Sequence, residues 1–137
     1  MITTGFTNGC FDIVHLGHLR YLKEASLRCD KLVVGLNSDK SITRLKGKGR
    51  PINSAQHRKE FLEFLPFVSE VIIFEEDTPL NLIKLIIPDK IFKGGDYSLD
   101  NIVGSEFVIK SGGSVEIIEF HDGFSSTKLI NDARTIS

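Results

Sequence analysis

The chain has little of what several protein classes require. Two cysteines, Cys10 and Cys29, occur in 137 residues. They are too few for a disulfide framework and lack the C-x-x-C spacing of a structural zinc site, so a reduced compartment suits them. Apolar runs such as Leu85-Ile86-Ile87 fall far short of the ~20 residues that cross a bilayer. The opening Met1-Ile2-Thr3-Thr4-Gly5-Phe6 has neither the basic start nor the apolar core of a signal peptide. Neither sign of charge dominates: 17 Lys and Arg stand against 18 Asp and Glu, a net charge of −1. That leaves no basic stripe for nucleic acid and no acidic tail. No repeat, low-complexity stretch or linker divides the chain. The expectation is one cytoplasmic domain over residues 1–137, with small-molecule partners, no nucleic acid and no membrane. At 41% hydrophobic residues it has enough apolar material for one core.

Strand and helix patterns alternate along what is present. Residues 2–7 read as a first strand, weakened by Gly5, and a helix follows from about His18 to Arg28. The β-branched run at 31–37 reads as a buried second strand, and 39–45 as a short helical turn. Lys46-Gly47-Lys48-Gly49-Arg50-Pro51 forms a basic, glycine-rich loop. Asn53, with Gln56 three residues on, has the capping-box pattern of a helix start. The helix it opens would turn Phe61, Leu62, Phe64 and Leu65 inward and stop at Pro66. Further strands are expected at 71–74, 90–93 and 115–118, with helices after Thr78-Pro79, near Ser105 and behind Ser125-Ser126-Thr127. Strands separated by helices predict an α/β fold: a doubly wound parallel sheet of about five strands, Rossmann-like, with helices on both faces. Such sheets bind ligands at the carboxyl ends of their strands.

The first of those strand ends carries Thr7-Asn8-Gly9-Cys10-Phe11-Asp12-Ile13-Val14-His15-Leu16-Gly17-His18. Two imidazoles three residues apart at a helix mouth place N–H donors beside backbone N–H groups that have no helical partner, which suits phosphate. Gly17 lets a ligand reach the backbone. A metal pair would need third and fourth ligands, and no spaced His/Cys cluster supplies them. Lys46, Lys48 and Arg50 suit a flap that closes over an anion, although a solvated surface loop has the same composition. Arg58 sits in a helix's first turn, against the dipole, as a cation serving an anion or a carboxylate would. Ser125-Ser126-Thr127 offers hydroxyls and N–H groups at a helix start, as plain capping also does. Gly94-Gly95-Asp96 permits close approach of a base or ribose.

Taken together, residues 6–130 resemble the H-x-G-H nucleotidyltransferase superfamily in its small cytidylyltransferase-like branch. Thr7 to His18 resembles the opening motif and Ser125-Ser126-Thr127 the late serine-threonine signature, with Ser126 for the usual middle threonine. Asn37-Ser38-Asp39, Arg44-Leu45-Lys46-Gly47, Arg50-Pro51, Phe74-Glu75-Glu76-Asp77-Thr78-Pro79, Lys93-Gly94-Gly95-Asp96-Tyr97, Gly112-Gly113 and Asp122-Gly123 are similar to the branch members that adenylylate heptose 1-phosphate. The resemblance implies in-line attack of a sugar 1-phosphate on the α-phosphorus of ATP, with Mg²⁺, release of pyrophosphate and formation of ADP-heptose. It further implies a stand-alone form, without the sugar kinase to which this activity is often fused, and a homodimer. By the same resemblance His15, His18 and Lys46 are the catalytic residues. Thr7, Asn8, Gly9, Phe11, Gly17, Arg58, Gly94, Asp96, Ser125, Ser126 and Thr127 would hold the nucleotide, and Asp12, Asn37 and Arg50 the sugar phosphate. Asp12 is equally compatible with Mg²⁺ or with a turn carboxylate. No protein-held metal site is expected. Glycerol-3-phosphate cytidylyltransferases are the alternative, but their arginine before the signature is here Phe120 or His121. A nucleotide-binding regulatory module is the other.

Overall fold

The central strand, β1 (Thr4–Gly9), carries Phe6 into one side of the molecule while Gly5 and Thr7 face the other. The structure, a computed structural model, describes residues 1–95 and 102–119. Around β1 lie β2 (Lys31–Asn37), β3 (Glu70–Phe74), β4 (Lys90–Gly94) and β5 (Ser114–Ile118), in the order β3-β2-β1-β4-β5. All four pairings are parallel. The order reverses between β1 and β4, which is the crevice where such sheets receive ligands.

Both faces of the sheet are covered, as parallel strands require. In β2, Leu32, Val34 and Leu36 face one side and Val33 the other. The first side is packed by α1 (Leu16–Leu27) and α3 (Ala55–Glu63) through Tyr21, Leu22, Ala25 and Leu62. The second is packed by α4 (Leu80–Ile86) and α5 (Ser105–Lys110) through Leu82, Ile83 and Val108. The short α2 (Asp39–Lys46) follows β2. Gly5, which weakens the strand in propensity terms, is needed for packing. A Cβ there would meet the Phe92 ring at 2.4 Å and the Cys29 sulfur at 2.8 Å.

The five expected strands and the doubly wound plan are present. Several local expectations are corrected. β1 runs on to Gly9, and α1 begins at Leu16 with His15 as its N-cap, so both histidines belong to the cap. The cap of α3 is Ser54, whose hydroxyl accepts from the His57 N–H at 3.2 Å. Asn53 does not fill that place because its groups are committed to Asp12. Of the four residues expected on the inner face of α3, Leu62 is buried and Leu65 packs at the margin of the core. Phe61 is 42% and Phe64 82% exposed. The helix expected behind Ser125 lies outside the described residues.

Candidate active site

The end of β1 and the mouth of α1 build the site. Phe11 leaves the strand with φ +48°, a left-handed conformation unusual for a bulky residue, and its ring lies 5.5 Å from that of His18. A Cβ on Gly9 would stand 2.9 Å from the Phe11 ring. The glycine is therefore what lets the turn fold back.

Beyond the turn the two histidines cap α1 reciprocally. His15 Nδ1 accepts from the Gly17 N–H at 3.0 Å, and the His15 N–H donates to His18 Nδ1 at 3.2 Å. The rings lie 4.0 Å apart between centroids, inclined by 37°. With each Nδ1 accepting, the neutral imidazoles carry their ring proton on Nε2. The backbone thus fixes the tautomers and makes both Nε2–H groups donors. This combination stabilises negative charge at a helix N-terminus.

A cleft of about 180 Å³ opens beside them, walled by Asn8, Gly9, Cys10, His18, Lys93 and Gly94 among others. Thr7 and Tyr21 close one side by a buried hydroxyl–hydroxyl hydrogen bond of 2.7 Å. Lys93 Nζ donates to Asn8 Oδ1 at 2.7 Å, and burial pulls its ammonium down to about 8. Lys46 ends α2, on a helix and not on the glycine loop, and is exposed. It still acts on the cleft. Burial pushes the Cys10 thiol up, and the charges of Lys46, Arg58 and Arg50 work against that shift.

Three of the expected binding residues, Asp12, Arg58 and Asn37, make scaffold contacts in the structure. Asp12 is 1% exposed. Its carboxylate accepts from Arg50 Nε at 3.0 Å, from the Ile52 N–H at 2.8 Å and from the Asn53 N–H at 2.8 Å. Asn53 Nδ2 also reaches the Asp12 carbonyl at 2.6 Å. Burial alone would raise this carboxyl; the Asn53 and Ile52 N–H groups and the Arg50 guanidinium prevail and hold it below the usual carboxylate range. Of the alternatives open for Asp12, the turn carboxylate is the one its neighbours support, since its lone pairs are taken. Arg58, at 2% exposure, donates Nε to the Asn53 carbonyl (2.9 Å), Nη1 to those of Cys10 and Asn37 (2.8 Å each) and Nη2 to Asp39 (2.7 Å). Four protein acceptors thus brace this cation inside the scaffold. Asn37 gives its amide to Ser41 Oγ at 3.0 Å.

Arg50 is different. It is 6% exposed, and its Nη2 is buried with no hydrogen-bond partner among the described residues, a donor that an anion would satisfy. The basic loop is also shorter than expected. Thr43 Oγ1 donates to the Arg50 carbonyl at 2.7 Å and Asp12 holds the Arg50 side chain, so the exposed stretch between anchors is Gly47-Lys48-Gly49. Gly94 ends β4 on the cleft wall. Asp96, Ser125, Ser126 and Thr127 lie outside the described residues. Lys93, named above only within a family-like stretch, and the Asn53 clamp have no role assigned from sequence; a lysine closing the apolar run Ile91-Phe92 just before two glycines is the available signal for the first. Among the described residues no group of three His, Cys, Asp or Glu could hold a metal ion, and no helix is long and apolar enough to cross a membrane.

A parallel sheet with two imidazoles capping the helix at its switch point is an arrangement suited to binding an anion. Residues 6–132 match the model of the cytidylyltransferase-like family, and the chain belongs to this family. It is similar to the bifunctional protein HldE of Nitrobacter hamburgensis, with 57% identity over 94% of this chain and 26% of that one. The HldE protein of Campylobacter fetus is 54% identical over 94% of this chain and 27% of its own length. The chain thus spans about a quarter of the length of these curated relatives. A lipopolysaccharide core biosynthesis protein from Thermoplasma volcanium shares 31% identity at a TM-score of 0.69, covering 88% of this chain and 98% of that one. A pantoate-beta-alanine ligase from Francisella tularensis, 14% identical with a TM-score of 0.58 over 98% of this chain and 70% of its own, shares the fold alone.

Proposed function

We propose that the protein transfers AMP from ATP to a sugar 1-phosphate, D-glycero-D-manno-heptose 1-phosphate, releasing pyrophosphate and forming ADP-heptose for surface polysaccharide. The observation that carries the reading is the reciprocal capping of His15 and His18, which leaves Nε2 of each as the donor atom at a helix N-terminus, with His18 on the cleft wall. The similarity to HldE proteins and to a lipopolysaccharide core biosynthesis protein supports the choice of sugar. In this reading a sugar phosphate oxygen forms a bond to the α-phosphorus as the bond to the pyrophosphate oxygen breaks. The nucleophile is already anionic, so positioning and charge stabilisation do most of the work. His15 and His18 hold the charge that develops on the triphosphate, and Lys46 approaches the α- or β-phosphate from the end of α2. The spare Nη2 of Arg50 takes the sugar phosphate. Thr7, Asn8, Gly9, Phe11 and Gly17 shape the phosphate pocket, Ser125, Ser126 and Thr127 hold the β- and γ-phosphates, and Gly94 and Asp96 receive base and ribose. With Asp12 saturated, Mg²⁺ arrives with ATP, on phosphate oxygens and water.

The reading carries a single cytoplasmic domain that pairs as a homodimer, which light scattering of the purified protein checks. The deciding assay is pyrophosphate release with Mg²⁺, crossing ATP, CTP and GTP against both anomers of heptose 1-phosphate and glycerol 3-phosphate. ATP with one heptose anomer is the expected result. Turnover of CTP with glycerol phosphate would replace the reading by the cytidylyltransferase one. Nucleotide binding with no release from any pair would indicate a regulatory module.

A further inference from the structure

β1 and β2 are laddered over six residue pairs, from Thr4–Lys31 to Gly9–Leu36. Between β1 and β4 the ladder holds only Gly5–Lys90 and Phe6–Ile91, although the strands run on to Gly9 and Gly94. The two strands part beyond Phe6, and the gap between them becomes the cleft. Lys93 and Asn8 bridge it at 2.7 Å. A long cationic side chain, hydrogen-bonded to Asn8, therefore lines the cleft together with His18.

We infer that the Lys93 ammonium, seated on Asn8 where β1 and β4 diverge, is a direct ligand of a phosphoryl oxygen of the bound nucleotide. The inference rests on the nucleotidyltransferase reading and adds to it a residue for which that reading has no role. Three observations point the same way. The cleft, at about 180 Å³, is below the ~300–1,000 Å³ of a pocket that encloses a whole small molecule; it takes a phosphoryl group with its adjoining sugar. Its donors, His18 Nε2–H and Lys93 Nζ, match the acceptors of phosphate. Finally, burial brings the ammonium down to about 8, so its surroundings stabilise the charge less than water does. A phosphoryl oxygen restores that stabilisation, whereas an uncharged base or ribose would not.

The test measures binding of ATP, AMP, adenosine and inorganic phosphate to the full chain by calorimetry, without turnover, for wild type and for Lys93→Met and Lys93→Gln. Gln keeps a donor for Asn8, so it reports even where Met disturbs the fold. The expected result is a loss of about 10- to 100-fold in affinity for ATP and AMP, with adenosine changed less than about threefold. Equal weakening of adenosine and AMP would make Lys93 a base, ribose or purely structural contact and overturn the inference. So would unchanged AMP affinity, failure of the wild type to bind any nucleotide, or a loss confined to inorganic phosphate. Because no sugar phosphate enters the assay, a mistaken acceptor leaves this result standing, and a mistaken Lys93 leaves the turnover assay standing.

Discussion

Replacing Arg58 by Met separates a structural brace from a phosphate ligand. Methionine keeps an unbranched stem in a side chain that is 2% exposed, so the packing loss is small beside the polar one. Four hydrogen bonds disappear, to the carbonyls of Asn53, Cys10 and Asn37 and to the Asp39 carboxylate. At ~1.5–3 kcal/mol for each bond to a charged group the gross loss is roughly 6–12 kcal/mol. Burying the guanidinium costs several kcal/mol that the variant no longer bears, which brings the net loss to about 3–5 kcal/mol. For a chain of this length, that lowers Tm by roughly 10–20 °C. Urea unfolding followed by circular dichroism, with calorimetry for Tm, measures both. Below the transition, where the variant is folded, its Michaelis constant for ATP should change little. A stability loss under about 1 kcal/mol together with a large rise in that constant would refute the brace and return Arg58 to the nucleotide.

Ala at His18 or Lys46 should lower turnover by about 10²–10³-fold with the fold kept; near-normal pyrophosphate release from either variant removes that residue from the catalytic set. Asp12→Asn leaves the buried Arg50 cation without its counter-charge and should cost about 3–5 kcal/mol in urea titrations. Because the folded carboxyl is held below its unfolded value, near 3.9, the stability that Asp12 adds is complete above that value. It is lost as pH falls through the folded one, so wild type should lose more stability than the variant on acidification below about pH 4. Nucleotide affinity should be level below about pH 7 and fall, by up to tenfold per unit, once Lys93 deprotonates above about 8. Cys10, His18 and Tyr21 also face the cleft, so the comparison that decides is Lys93→Gln, in which the Lys93 component of the fall is absent.

The plan of the molecule was readable because it rests on local signals. β-branched runs, caps and the glycines between them mark every strand of the sheet, and the H-x-G-H spacing marks the cap that orients both imidazoles. Contacts that depend on distant chain segments were not readable. In sequence Arg58 is a cation at the wrong end of a helix dipole, which suggests an anion. The acceptors that hold it are carbonyls as remote as Cys10, 48 positions away. Asp12 was ambiguous for the same reason, since its donors lie 38 to 41 positions on. In α3 the apolar pattern counted Phe61 and Phe64 as core because composition does not report which turn of a short helix overhangs the sheet. Ser54 and Asn53 are both good caps, and the choice between them was made by Asp12.

The pinning of Arg50 to Thr43 and Asp12 also limits how the site can close over a ligand. Only Gly47-Lys48-Gly49 spans the distance between the end of α2 and that anchor. Fully extended, three residues reach about 10 Å, so closure is a swing of one short span with Lys48 at its crest. Ordering it on ligand binding would cost about 3–6 kcal/mol in backbone entropy, roughly half the cost for a free segment from Lys46 to Pro51. Lengthening the span by two or three glycines should therefore weaken ligand capture chiefly through entropy, with every contacting side chain still in place.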